Sequence, residues 1–410
     1  MATTKQAAAN LLAADVKKAL DNYNHEFGET WTLGQNWTSV GTQFETFINK
    51  FLFPKLNETR LIQVALGNSF DWLAQEVDFV GQYSEEYVIK DTIPTNMDLS
   101  KDEMLMLKRN YPEMITKLYG PGIVRKVKFT LNNNDVRQNW LTLKDGVKYA
   151  IAVYKKKISD INVDEERQIK GMLVDYAENQ LSDSQKIEVD NLEGMFEQIA
   201  EQMMNLQTNQ DKYNEASKAS GRAIGRYTTV SDMSKLMILT TTKIKARLLD
   251  SKLANTYHIN GIDFSDRIIA FPDLGGVFRA KADIKVTEEV VTALKALGDY
   301  QVTTNSTIPK DAVVTFDVTK YLPSVSDQFE EIKPSNDLWA MILDVDSIVY
   351  NRFTKGMLKA PFYNPEFDEV TYWIHYYSMK AISPFYNKVL VKGKTVALTE
   401  PEGTNPEGTV

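Results

Sequence analysis

The chain has 410 residues, 43% of them hydrophobic and 25% charged, with a formal charge of −8 and no cysteine. That length supports two or three domains, or one core with elaborate insertions, and the balance is that of an ordinary folded soluble protein. The lack of cysteine excludes disulfides, iron–sulfur ligation and a cysteine nucleophile, and the acidic balance argues against a protein that binds nucleic acid mainly by neutralising phosphate. No apolar run approaches membrane-spanning length; LMIL at 236–239 is among the longest.

In chain order, MATTKQAAANLLAADVKKAL places Leu12, Val16 and Leu20 four apart, so the spacing predicts an amphipathic helix rather than a signal peptide. Residues 22–50 mix aromatics (His25, Phe27, Trp31, Trp37, Phe44, Phe47) with Gly28, Gly34 and Gly41, and read as an arm lying on a surface. Helical spacing resumes over 51–75 after Pro54. VGQYSEEYVIKD (80–91) and GIVRKVKFTL (122–131) have strand character; in the second, Val127, Phe129 and Leu131 alternate with Lys126, Lys128 and Thr130. The two are expected to pair as a long protruding hairpin with little core of its own, which needs a partner surface.

A long helix is predicted over 141–181, with Val147, Ile151, Tyr154, Ile158 and Ile161 on one face; Asn162 and Glu165 are spaced to cap a continuation. A further helix carries Leu192, Met195, Phe196, Ile199, Met203 and Leu206. Between 235 and 345 short strands and helices alternate, with strands at LMILTT (236–241), DRIIAFPDL (266–274), DAVVTFDVT (311–319) and LWAMILDVD (338–346), and a helix from TTKIKARLLDSKLANTYHI. In VTYWIHYYSMKAISPFYNKVLV (370–391), Tyr372, Ile374 and Tyr376 share one strand face, and Trp373, His375, Tyr377 and Met379 the other. Both faces are largely apolar, which predicts a strand covered on each side, with Pro384 breaking it before the sheet continues. The tail after residue 395 reads as disordered.

The chemistry-bearing residues are sparse. His25, His258 and His375 fall in three separate elements and in no metal-ligand spacing. Asp344 and Asp346 have the spacing of paired carboxylates in a metal-dependent transferase, but no nucleotide-binding loop accompanies them, and Gly275-Gly276, Gly221 and Gly225 read as turns. The Arg125-Lys126-Val127-Lys128 cluster reads as the solvated face of a strand rather than a nucleic-acid contact. The methionine-rich helix over 192–206 reads as core. No cofactor is expected.

Several continuous stretches, FETFINKFLFPKLNET, DFVGQYSEEYVIKDTIPTNMDLSKDE, KFTLNNNDVR, GIDFSDRIIAFPDLGGVF and TKGMLKAPFYNPEFDEVTYWIHYYSMKAISPFYNK, resemble the major capsid (head) proteins of short-tailed, picovirus-type phages. The likeness runs from about residue 20 to about residue 392. It implies an α+β fold of the Hong-Kong-97 type and no enzymatic activity. The implied parts are an N-terminal arm (1–75), an extended hairpin or E-loop (76–135), a peripheral domain with a spine helix (136–216), an axial domain (217–345), return strands of the peripheral domain (346–395) and a tail (396–410). Gly81, Pro94, Gly120, Pro121 and Gly122 are then candidate E-loop hinges. Val147, Ile151, Tyr154 and Ile158 would pack the spine helix, and Tyr372, Trp373, His375 and Tyr377 a peripheral strand.

The resemblance further implies pentamers and hexamers closing into a shell around double-stranded DNA. It implies scaffolding, portal and head-fibre proteins as partners, no membrane, assembly in the host bacterial cytoplasm and residence in the virion. Covalent cross-linking is not carried over, because the lysine and asparagine positions find no match. The competing readings are a scaffold or tail adaptor, and a metal-dependent transferase built on Asp344 and Asp346.

Overall fold

The structure, a computed structural model, describes residues 16–32, 47, 68–77, 83–89, 111, 114–120, 123–132, 143–208, 211–214, 230–250, 267–271, 274, 276–285, 307–308, 310, 313–315, 328–353, 362–367 and 369–394. Of the sequence-derived candidates, Gly81, Pro94, Pro121, Gly122, His258, Gly221, Gly225, Gly275 and the tail lie outside these residues.

Residues 16–27 form helix α1, which buries Val16, Ala19, Leu20 and Tyr23. Gly28 ends it with a φ of 66°, the left-handed conformation that suits a glycine after a helix. Asn24 then folds the chain back: its side-chain amide donates to the Trp31 carbonyl at 2.9 Å and its oxygen accepts from the Trp31 amide at 3.0 Å. Trp31 and Phe47 are buried with Tyr23 in one aromatic cluster, so these residues of the expected surface arm are core. Residues 71–73 make a single 3-10 turn and β1 (Gln75–Glu76) follows, where an α-helix was expected.

β2 (Ser84–Ile89) pairs antiparallel with β3 (Met114–Tyr119), whereas β4 (Ile123–Asn132) pairs with a strand near the C-terminus. The expected partnership of 80–91 with 122–131 is therefore wrong. The apolar side of β4 (Phe129 and Leu131 buried, Lys128 and Thr130 exposed) finds a better surface in the main body than a bare hairpin offers.

Helix α2 (Leu143–Asn179) runs 37 residues without a break. Asn162 and Glu165, read as a capping pair, lie inside it; both are buried, and Glu165 accepts from the Tyr350 hydroxyl at 2.6 Å. Beyond it come β5 (Lys186–Val189), α3 (Leu192–Asn205), β6 (Leu236–Thr241), α4 (Thr242–Asp250) and β7 (Ile268–Phe271). Asn191 caps α3, accepting from the Gly194 amide at 2.7 Å. Five short strands follow: β8 (Val277–Ala280), β9 (Ile284–Lys285), β10 (Thr307–Ile308), β11 (Val313–Thr315) and β12 (Phe329–Glu331). The chain closes with β13 (Trp339–Asp344), β14 (Ile348–Phe353), β15 (Phe362–Asn364), β16 (Glu369–Ile382) and β17 (Lys388–Gly393).

Two five-stranded sheets carry the body. The central sheet has the order β5-β17-β13-β6-β7, drawing strands from residues 186 to 393. Its middle strands are buried on both faces. Trp339, Met341 and Leu343 of β13 join Met237 and Leu239 of β6 against the C-terminal half of α2, while Ala340, Ile342 and Ile238 face α3. That explains why LMILTT and WAMILD are continuous apolar runs rather than alternating ones. α2 comes so close to β8 that a Cβ on Gly171 would lie 2.5 Å from Val277 Cγ1.

The second sheet is built on the 14-residue β16, with β4 along one edge and β14 and β15 along the other; β1 pairs with β14. Its α2-facing side buries Val370, Tyr372, Ile374 and Tyr376 with Phe129, Leu131, α1 and the N-terminal half of α2. After Ile382 the chain turns and β17 enters the central sheet beside β13, so the sheet predicted to continue past Pro384 changes instead.

Candidate assembly surfaces

The β2–β3 ribbon contrasts with everything else in the body. The strand register puts Glu85, Tyr87 and Ile89 on the same face as Leu118, Thr116 and Met114, and all six are exposed. Tyr87 is 64% and Leu118 62% accessible. A two-stranded ribbon cannot bury such a face by itself, and exposed apolar surface of this kind marks an interaction site.

The opposite face is rooted in the body. Tyr119 is buried against Tyr377 and Met379, with Val77, Val349 and Phe353 alongside. Its hydroxyl donates to Glu86 at 2.6 Å, and the Lys117 ammonium stands 5.3 Å from its ring centre. Burial, then the Glu86 carboxylate, hold the Tyr119 phenol well above its usual range.

The same side of β16 has two halves. Tyr377 and Met379 are covered by the ribbon root, but Trp373 and His375 are only half-buried. Within the single chain, one face of β16 is covered and half of the other is open. Cross-strand pairing places Trp373 opposite Lys128 and His375 opposite Lys126, and Phe362 of β15, 61% accessible, opposite Thr371. This open half therefore joins aromatic rings to two lysines. The turn beside it adds the exposed Phe367.

The remaining sequence candidates fall as follows. Val147, Ile151, Tyr154 and Ile158 share the core formed by α1, the N-terminal half of α2 and the β16 sheet, where burial raises the Tyr154 phenol to about 12. Gly120 stands where the ribbon leaves Tyr119, with open space around the position a Cβ would take. His25 is exposed on α1.

Asp344 and Asp346 do not face each other as a ligand pair. Asp344 is buried and accepts from the Asp346 amide at 3.0 Å, capping a 3-10 turn, and Asp346 binds the Lys235 ammonium at 2.6 Å. Burial raises the Asp344 carboxyl, with the Asp346 charge adding to the shift while hydrogen bonds oppose it. The pair is a strand-end cap, and the transferase reading has no site. Gly276, at a φ of 84°, is a turn glycine as expected. Sequence reasoning missed the exposed ribbon row; the alternation in SEEYVI carried a signal for it, but MITKLY has no clean period.

Among the described residues, an apolar face exposed on a two-stranded ribbon is the mark of a surface made for contacts with other chains, as in structural assembly proteins. The model of the Phi29-like phage major capsid protein family matches residues 12–392, and the chain belongs to that family. It is 58% identical over 395 residues to the major capsid protein of Staphylococcus phage S24-1, covering 96% of this chain and 98% of that one. The major capsid protein of Staphylococcus phage 44AHJD is 57% identical over 395 residues, with 96% and 97% coverage. The capsid structure of Staphylococcus phage Andhra is similar with a TM-score of 0.72 at 55% identity, covering 94% of this chain and all of the other. A chain in the structure of the head fiber and inner core protein gp22 of native bacteriophage P68 is similar with a TM-score of 0.67 at 58% identity, covering 93% and 99%. The fold is thus the α+β fold of phage capsid proteins, and the protein is a structural component of the virion.

Proposed function

We propose that this chain is the repeating wall subunit that closes into pentamers and hexamers to form an icosahedral head around double-stranded DNA. The observation that carries the reading is the ribbon, whose outer face of Glu85, Tyr87, Ile89, Met114, Thr116 and Leu118 is exposed in the single chain and is read as the contact to a second copy. A head-to-tail contact of this kind closes rings when the rotation between copies closes, and many weak contacts add to a strong shell.

The surface on the neighbouring copy that fits the ribbon is the open half of the β16 face. Phe362 and Trp373 suit Tyr87, Ile89 and Leu118, and Lys128 suits Glu85. In this reading, residues 1–75 form the arm region, 76–135 the E-loop region, 136–216 and 346–395 the peripheral domain, 217–345 the axial domain and 396–410 the tail. The acidic balance of the chain limits adhesion of DNA to the inner wall. Scaffolding, portal and head-fibre proteins are the further partners, and assembly takes place in the host bacterial cytoplasm. Expression of the full chain with the phage's scaffolding protein, imaged by electron microscopy, tests the reading. Closed shells support it, and a dispersed monomer at high concentration overturns it.

A further inference from the structure

The two roots of the ribbon are anchored differently: the N-terminal side adds an ion pair and hydrogen bonds to its apolar contacts. The C-terminal root, Tyr119, is lodged in apolar surroundings. The N-terminal side is preceded by residues 68–77, which lie across the middle of α2 and end six residues before β2. Phe70 is fully buried in the core between the central sheet and α2, Leu73 and Ala74 pack against that core, and Val77 joins the Tyr119 cluster. β1 lies parallel to β14, and the other ties of the segment are polar.

Along α2, the apolar stripe facing the β16 sheet stops at Ile161 and the one facing the central sheet begins at Ile169. Between them the helix carries a belt of charge that β4, β7, β14, β16 and the 68–77 segment enter. Asp164 meets Arg125 of β4 at 2.9 Å and accepts from Gln168 at 2.6 Å and from the Tyr376 hydroxyl at 3.1 Å. Glu165 meets Lys380 of β16 at 3.6 Å as well as the Tyr350 hydroxyl of β14. Glu166 pairs with Lys170 at 2.5 Å, and Lys170 donates to the Ala270 carbonyl of β7 at 3.0 Å. From the 68–77 segment, the Ser69 hydroxyl donates to Glu166 at 2.8 Å, and Asp71 pairs with Arg352 of β14. Asp71, Asp164, Glu165 and Glu166 thus balance Arg125, Lys170, Arg352 and Lys380.

The balance of charge is not matched by a balance of hydrogen bonds. Asn68 Nδ2 in the segment, and Asn351 Oδ1 and Arg352 Nε in β14, are buried without a hydrogen-bond partner among the described residues. Buried polar atoms are nearly always bonded, so three unused ones at a single attachment mark an arrangement that does not exhaust its bonding. Close-packed apolar cores resist gradual deformation, whereas a belt of ion pairs with several acceptors in reach has more than one way to pair.

We propose that residues 68–77 are a releasable strap: while latched to the α2 belt they fix the direction of the ribbon, and on release the ribbon swings about its Tyr119 root. The proposal rests on the shell reading, in which one sequence must present the ribbon to neighbours at slightly different angles. It moves the adjusting element from the glycines and prolines of the ribbon to the polar attachment before it.

The test uses the full chain, unassembled, so that it does not depend on whether shells form. Spin labels on Thr116→Cys and Lys156→Cys, both exposed positions in a chain with no other cysteine, report the ribbon-to-α2 distance. Asp71→Asn leaves Arg352 without its carboxylate. It is expected to broaden the distance distribution and to speed amide exchange in residues 68–77 by at least about tenfold, with exchange in β6 and β13 unchanged. Should Asp71→Asn fail to fold, Ser69→Ala removes only the hydroxyl tie to Glu166, leaving the Ser69 amide to it, and is expected to give the same change in smaller measure. An unchanged distribution, or exchange that rises equally in β6 and β13, overturns the strap. Absence of shells from the unmodified chain would instead overturn the shell reading.

Discussion

The central sheet and the ribbon are both strands, yet they carry opposite burdens. β6 and β13 spend their side chains on two cores at once, so they are satisfied within the chain. The ribbon spends one face on a single buried tyrosine and leaves the other to water. Stability therefore resides in the first region and association in the second, and a substitution should disturb one property or the other but not both.

The largest effect on stability is expected at Trp339, fully buried, in edge-on contact with Phe271 at 5.3 Å and donating to Glu178 at 2.9 Å. Trp339→Ala should cost about 3 to 5 kcal/mol in denaturant unfolding. A cost below about 1 kcal/mol would break the division of labour.

Alkali provides the next test, through Tyr154. Unfolded tyrosine titrates near 10, and burial holds the folded phenol up to about 12. The folded state keeps its proton longer, so the stabilisation present below pH 10 is lost as pH rises through 12. The loss is about 2 to 3 kcal/mol. Tyr154→Phe should flatten that part of the stability profile, leaving the contributions of Tyr350 and Tyr119, whose phenols are also raised by burial.

Gly171→Ala comes third. Its new Cβ would strike the buried Val277, and overpacking of this kind should cost about 1 to 3 kcal/mol in thermal unfolding.

The same contrast decides what could be read in advance. The helix α2, the strands LMILTT and WAMILD, and the α3 core residues were legible because local period and final burial agree. The pairing of β2 was not, because the strand it meets, MITKLY, keeps no alternation: Met114 and Ile115 are both exposed. Asn162 and Glu165 looked like a cap because a cap satisfies polar groups locally, yet their partners include Tyr350, nearly two hundred residues on. β16 was recognised as a strand, but which half of its second face is covered depends on Tyr119, in a strand the sequence did not announce. The interaction surface was visible only as a family expectation; its residues needed the register.

The smallest effect on stability, and the most telling overall, belongs to the ribbon. Tyr87→Asp with Leu118→Asp should leave unfolding of the free chain within about 0.5 kcal/mol for each exposed position. Electron microscopy of that double variant, expressed with the scaffolding protein, shows whether the ribbon joins the wall subunits. Soluble folded subunits and no closed shells are expected, whereas shells formed in normal number and size would mean that the ribbon does not hold the wall together.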